Sequence, residues 1–372
     1  MRIACVYWWC HSVGGIGTHL NSIRKAAIDY GDKFDILHSM PWKNKKPKVF
    51  DKRKWVLGGD TRIWIDGEIP QNEYAAKWLE KNYDAVVFGY LCPNKTKKYK
   101  EPDFLHIYNI KLPKVAWVMD GYFDRYPEWS KSLPSKLLAV FCPLEQYAKP
   151  LKNAGVKTVI SAFPFHPLKG KRPKRSDKPL LVWPNQWKEI KGVTKFLEIV
   201  PDLPEDTAVE LYSTGIRYFQ LRHTDTWRNA VDKDIYHLGG DKYNGKGRAI
   251  YVGNVDVPDM HKSLCRAWYT CNLQGMKSKI NTYSSGSYNN TEVEALYYGA
   301  LPILHNSGLK TALPPSTCLW VSSPGDIPQV VRDANRDKYA LDPERQKLGK
   351  EFVMDTHLAS HRYLDVRRVL ES

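Results

Sequence analysis

An apolar run, Val115-Ala116-Trp117-Val118-Met119, ends in Asp120-Gly121-Tyr122. As a strand of an open α/β sheet it would hold Asp120 beyond its carboxyl end, where ligands collect. A carboxylate there, partly shielded from water, can take a proton from a hydroxyl as that hydroxyl attacks an electrophile. Asp124 lies further into the loop and is the second choice. A turn or cap aspartate is the plainer reading of Asp120.

Three more segments have the residue types of an anion site. Trp183-Pro184-Asn185-Gln186-Trp187-Lys188-Glu189-Ile190-Lys191-Gly192 follows a strand pattern and opens a helix. Lys188 and Lys191 beside a helix N-terminus would offset negative charge on a departing diphosphate; a solvated helix start is the alternative. Asn290-Thr291-Glu292-Val293-Glu294 begins a short helix that Gly299 ends before a buried strand. A carboxylate such as Glu294 there can accept from ribose hydroxyls while Thr291 and the free N–H groups face phosphates, although the helix dipole alone also favours acidic residues. Val13-Gly14-Gly15-Ile16-Gly17-Thr18-His19 reads as a glycine-rich turn before a helix through Leu20, Ile23, Ala26 and Ala27. Its backbone can approach an anion closely, and a tight turn needs glycine equally for steric reasons. The spacing is not GxGxxG, which disfavours an NAD enzyme.

The elements that must hold these residues follow a βαβ rhythm, predicting an α/β fold with parallel sheets. Strands are expected at Arg2–Tyr7, Asp35–Leu37, Ala85–Phe88, Val115–Met119, Ala139–Phe141 and Thr158–Ile160, and again at Pro179–Trp183, Ala208–Tyr212, Ile250–Val252, Ala267–Leu273, Leu301–Leu304 and Cys318–Val321. A chain of 372 residues suits two such domains. The division expected is 1–168, a proline-rich basic linker 169–178, 179–345, and a terminal amphipathic helix 346–372 that crosses back to the first domain.

Composition narrows the function classes. At 42% hydrophobic and 12% aromatic the chain is an ordered globular protein. No apolar stretch reaches the roughly 20 residues of a membrane span, and Met1 to Tyr7 reads as a strand rather than a signal peptide, so a soluble cytoplasmic protein is expected. Seven cysteines without CxxC spacing argue against a disulfide framework and a zinc site. Residues 1–178 hold 32 Lys/Arg against 17 Asp/Glu, and residues 179–372 hold 24 against 23. The net charge of +16 therefore lies almost wholly in the first half, which attracts a polyanion; a generic solubilising surface is the alternative.

Together these segments resemble the GT-B glycosyltransferases, whose donor domain has a lysine-glycine pair after its first strand and a Glu-Ala segment followed by glycine and proline before a late strand. Lys191-Gly192 and Glu294-Ala295 through Gly299 and Pro302 match both. Within that fold the layout is similar to the bacteriophage DNA glucosyltransferases that modify 5-hydroxymethylcytosine, with Asp120 at the place of the catalytic aspartate, Phe163-Pro164-Phe165 near the linker, and a glycine-to-methionine spacing from Gly253 to Met260. The resemblance implies two Rossmann-like domains facing across a cleft. It implies a donor site of Gly15, Gly17, Lys188, Lys191, Ser213, Asn290, Thr291 and Glu294, and an acceptor site of Trp9, Tyr122, Arg125 and Tyr126. A nucleotide-diphosphate sugar, a UDP-sugar foremost, is implied as co-substrate without a tightly bound cofactor or metal.

The acceptor implied is double-stranded DNA with a hydroxymethylated base, and a monomer is expected. Two departures stand out: Gln186 occupies the place of an arginine common in the fold, leaving Lys188 to supply the cation, and Gly286 stands where retaining members carry a second glutamate. The stereochemical outcome thus stays open. Two other readings remain: a glycan or lipid-linked acceptor at a membrane surface, approached through the runs Lys43 to Lys48 and Lys95 to Lys100, and a binding protein that keeps the fold without catalysis.

Overall fold

The computed structural model describes residues 1–7, 15–38, 63–64, 73–89, 110–119, 137–168, 170–185, 192–212, 249–253, 255, 257–273, 290–305, 310 and 313–372. They form two compact units, one of Met1–His166 with His357–Ser372, the other of Pro167–Thr356.

The first unit is a parallel sheet of seven strands: β1 (Arg2–Tyr7), β2 (Lys33–His38), β3 (Ile63–Trp64), β4 (Ala85–Phe88), β5 (Lys114–Trp117), β6 (Ala139–Cys142) and β7 (Thr158–Ile160), in the order β3-β2-β1-β4-β5-β6-β7. Every residue of β4, β5 and β6 is buried, as expected of parallel strands covered on both faces. Helix α1 (Gly15–Asp29) buries Leu20, Ile23, Ala26 and Ala27. Helices α2 (Glu73–Asn82) and α3 (Glu145–Asn153) bring Leu79, Tyr147, Ala148 and Leu151 into a core with Val86, Phe88, Ala116 and Val140.

The second unit repeats the plan with six strands: β8 (Leu180–Trp183), β9 (Ala208–Tyr212), β10 (Ala249–Gly253), β11 (Tyr269–Asn272), β12 (Leu301–Leu304) and β13 (Leu319–Trp320), ordered β10-β9-β8-β11-β12-β13. Its described helices are α4 (Val193–Ile199), α5 (Val257–Arg266), α6 (Asn290–Tyr298), α7 (Ile327–Arg336) and, up to the unit boundary, α8 (Pro343–His357). Trp183 stacks on Phe196 at 4.4 Å within a core that includes Leu181, Leu211, Tyr269, Ile303 and Val331. Both sheets have the doubly wound order, with the strand sequence reversing beside the first strand of each.

The chain end is not the single helix expected over 346–372. Leu358 is extended, with φ −59° and ψ 127°, and separates α8 from α9 (Ala359–Glu371). The break is made by Phe165: its N–H donates to the His357 carbonyl at 2.6 Å and its carbonyl accepts from Ala359 N–H at 2.8 Å. Beyond it, α9 packs on α1. Asp32 anchors that packing by accepting from the Met1 ammonium and the Tyr363 hydroxyl, each at 2.5 Å, and by its charge beside the Arg367 guanidinium at 3.0 Å.

From Gly170 on, the expected linker lies against the second unit. Ser176 N–H donates to the Arg266 carbonyl, Trp268 Nε1–H donates to the Ser176 carbonyl, and Arg172 Nη2 donates to Tyr297 Oη at 2.7 Å. Arg175 donates to the carbonyls of Ala267 and Tyr298. Counted by unit, the first holds 29 Lys/Arg against 18 Asp/Glu and the second 27 against 22, so the excess is +11 and +5 rather than +15 and +1. The runs Lys43 to Lys48 and Lys95 to Lys100 lie outside the described residues.

Candidate functional site

The polar groups of the second unit gather where its strand order reverses, at the carboxyl ends of β8 and β11. Asn185, 4% exposed, leaves β8 and donates through Nδ2 to the Cys271 carbonyl of β11 at 2.9 Å. Gly192 then turns the chain into α4 at φ 77°. A Cβ at that position would lie 2.5 Å from Leu273 Cβ, so the turn is closed to every residue but glycine. Lys188, Lys191 and Gln186, in the loop between, lie outside the described residues, as do Ser213 and Gly286.

Helix α6 brings the acidic residues to the same edge. Asn290 opens it, and Glu292 and Glu294 follow at 2% and 5% exposure. A carboxylate so buried is tolerated only with partners. Glu292 Oε1 accepts from Nδ2 of Asn272, the last residue of β11, at 2.5 Å. Glu294 Oε1 lies 3.4 Å from Nε2 of His261 on α5, and His261 Nδ1 is 3.0 Å from Tyr298 Oη. Burial and the neighbouring Glu292 carboxylate raise the pKa of the Cys271 thiol, which stays neutral and unreactive. Thr291 Oγ1 is buried without a hydrogen-bond partner. The helix ends at Gly299, φ 82°, whose carbonyl accepts from Arg345 at 2.8 Å.

In the first unit α1 begins at Gly15 itself, so Gly15 and Gly17 form its first turn instead of preceding it. The turn's N–H groups lack intrahelical acceptors, and glycine leaves them open to approach. His19, one turn on, is 2% exposed and sits edge-on to Trp117 at 4.9 Å and Phe163 at 6.1 Å. Burial lowers its pKa to about 3. Both its ring nitrogens and Trp117 Nε1 lack hydrogen-bond partners. Strand β5 ends at Trp117, two residues short of the expected Met119, though Val118 N–H still bonds to the Phe141 carbonyl at 2.9 Å. Asp120 and Asp124, and with them Trp9, Tyr122, Arg125 and Tyr126, lie outside the described residues.

Of the expected donor set, then, Asn290, Thr291 and Glu294 come together on α6 in the second unit, while Gly15 and Gly17 sit at the matching edge of the first. Sequence reading missed His261, Asn272 and Asn185; the only signal for them was a polar residue interrupting an otherwise apolar strand end or helix face. Among the described residues no three His, Cys, Asp or Glu side chains gather to hold a metal ion, and no helix is long and apolar enough to cross a membrane.

No protein-family model matches the sequence, and no curated protein matches it. Solved structures match along the full chain. An α-glucosyltransferase in complex with UDP and a 13-mer DNA containing a HMU base has a TM-score of 0.68 at 12% identity, covering 100% of each chain. Alr3699/HepE of Anabaena in complex with UDP-glucose has a TM-score of 0.64 at 12% identity, covering 100% of this chain and 99% of that one. AviGT4, a glycosyltransferase involved in avilamycin A biosynthesis, has a TM-score of 0.61 at 11% identity, covering 100% and 97%. The likeness is one of fold: the chain has the GT-B fold, built of two Rossmann-like units, that these glycosyltransferases have.

Proposed function

We propose that the protein is a glycosyltransferase that moves a sugar from a nucleotide diphosphate, UDP-glucose foremost, to a hydroxyl on a modified base of DNA. The observation that carries this reading is the end-to-end match to an α-glucosyltransferase bound to UDP and DNA, joined to the buried carboxylates of α6 at the sheet's carboxyl edge. Glu294 accepts from the ribose hydroxyls; Asn290, Thr291 and the helix N-terminus, with Lys188, Lys191 and Ser213, face the diphosphate. Gly15 and Gly17, in the first turn of α1, offer backbone N–H groups to a phosphate. Asp120 takes the proton of the acceptor hydroxyl as it attacks the anomeric carbon, and the diphosphate leaves. Trp9, Tyr122, Arg125 and Tyr126 receive the acceptor base, rotated out of its stack so that its hydroxyl can reach the donor.

The net charge of +11 on the first unit supports a polyanionic acceptor. A second reading, in which the same donor chemistry serves a glycan or lipid-linked acceptor, is kept open by AviGT4, a neighbour named for a biosynthetic role and not for DNA. Purified protein offered a panel of nucleotide sugars, with and without hydroxymethylated duplex DNA, separates the two. The first reading expects donor turnover that requires the DNA, and DNA affinity that falls at least about tenfold between low and physiological salt. Salt-independent DNA binding, or transfer to a glycan alone, moves the acceptor to the second reading.

A further inference from the structure

We infer that His261 is the positioning residue of Glu294: Tyr298, itself bonded to a backbone N–H, holds the imidazole with Nε2 3.4 Å from Oε1 of the carboxylate. The inference rests on the reading of Glu294 as the ribose acceptor.

This chain of hydrogen bonds has one direction. Leu168 N–H, which can only donate, meets Tyr298 Oη at 2.9 Å. With the imidazole in its Nε2–H tautomer, the phenol's own proton points to His261 Nδ1, 3.0 Å away. An imidazole that accepts at Nδ1 carries its proton on Nε2 when neutral, and that nitrogen lies 3.4 Å from Glu294 Oε1. His261 and Glu294 are 4% and 5% exposed, so water does not compete well for the pair. The tyrosine is itself held: Arg172 lies over its ring, 5.4 Å from the centroid, and its ring is 5.0 Å from that of His261.

The arrangement has a chemical consequence. A buried carboxylate with two free rotamers would present either oxygen to a sugar edge, and binding would have to order it. An imidazole beside Oε1 biases the carboxylate to one orientation and leaves Oε2 as the oxygen for the ribose before the ligand arrives. Ligand-holding side chains oriented in this way by outer partners are a general device of binding sites. Glu292 is held from another element, by Asn272.

The test compares UDP with 2′,3′-dideoxy-UDP by calorimetry in the full-length protein. Wild type should prefer UDP by about tenfold or more, since the analogue leaves a buried carboxylate without its hydroxyl donors. Glu294→Gln should lose most of that preference. His261→Phe keeps the ring shape without its nitrogens and should lose about as much, while binding dideoxy-UDP within about twofold of wild type. His261→Gln, which offers an N–H near the Nε2 position, should recover most of the preference, and Tyr298→Phe should lose part of it. A purely structural role would lower affinity for both ligands equally. If His261→Phe keeps the wild-type preference while Glu294→Gln loses it, or weakens both ligands alike, the positioning role is overturned. If Glu294→Gln keeps the preference, the ribose role of Glu294 falls instead. Should His261→Phe not fold, Tyr298→Phe decides: an unchanged preference there overturns the chain.

Discussion

The two Rossmann-like units share a strand order and differ in how they treat polar groups at the carboxyl edge. In the second unit the buried carboxylates of α6 lie against polar groups of other elements, Glu292 accepting from Asn272 of β11 and Glu294 standing 3.4 Å from His261 of α5, although Thr291 Oγ1 on the same helix makes no hydrogen bond. In the first, His19 and Trp117 are buried side by side with nitrogens that no hydrogen bond satisfies. One unit sets its buried carboxylates beside polar side chains of other elements. The other buries a neutral histidine among aromatics, a core that tolerates the ring only without its proton. On the functional reading, the second unit binds the donor and the first unit supplies the reacting aspartate and the polyanion face.

The largest expected effect tests that division of labour. Asp120→Asn keeps the shape of the side chain and removes its basicity, so single-turnover sugar transfer should fall on the order of 10²–10⁴-fold. UDP affinity should not change, since Asp120 is not one of the residues proposed to hold the donor. Asp124→Asn should be milder. Turnover near wild type in Asp120→Asn, with product release excluded as the slow step, would leave Asp120 a turn residue and place the base elsewhere.

A smaller effect contrasts two left-handed glycines. Gly192 has φ 77° with Leu273 Cβ 2.5 Å from where its own Cβ would stand; Gly31 in the first unit has φ 90° and nothing within 4 Å. Gly31→Ala should cost about 1 kcal/mol, the backbone term alone, in chemical denaturation. Gly192→Ala adds overpacking and should cost roughly 2–4 kcal/mol, with weakened UDP binding because the turn leads out of the lysine loop. Equal costs would mean that Leu273 yields freely and that the edge of the second unit is less rigid than its hydrogen bonds imply.

Much of this was legible beforehand, for identifiable reasons. Inner parallel strands such as Ala85–Phe88 and Leu301–Leu304 are continuous apolar runs because both their faces are covered, and the sequence displays them directly. Strand Ile63–Trp64 is two residues long and carries no such signal. The apolar pattern runs through Leu358 without interruption, since the break there is imposed by Phe165, distant in sequence. Glycines 15 and 17 read as a turn because glycine disfavours helix, yet a first turn has no preceding hydrogen bonds to lose. At the site, Glu294 announced itself within its own segment, whereas His261 and Asn272 matter only through a contact between separate βα elements. Pairing of that kind has no local signature.

The smallest expected effect distinguishes the units by acid. His19 and His357 both belong to the first unit, and burial lowers their pKa values to about 3 and about 4; for His357, whose Nδ1 bonds to the Phe163 carbonyl at 2.9 Å, that bond offsets burial only in part. Their unfolded-state value is near 6.5, so between there and the folded values the unfolded chain binds the proton and the folded chain does not. Stability from these groups is therefore full above about pH 6.5 and is lost as the pH falls, at up to ~1.4 kcal/mol per pH unit for each histidine. Asp32 works lower down: its pKa is depressed because the Met1 ammonium, Tyr363 and Arg367 outweigh its burial, so its contribution disappears only below the ordinary carboxylate range. Denaturant midpoints measured from pH 7 to pH 5 should fall in wild type and fall more gently in His19→Leu, with the difference of order 1 kcal/mol growing steadily toward pH 5. Asp32→Asn should lower stability by a similar amount at pH 7 and at pH 5, since Asp32 stays ionised across that span. A slope that His19→Leu leaves untouched would mean that the ring finds water or a partner when protonated, and the contrast between paired carboxylates in the second unit and an unsatisfied imidazole in the first would fail.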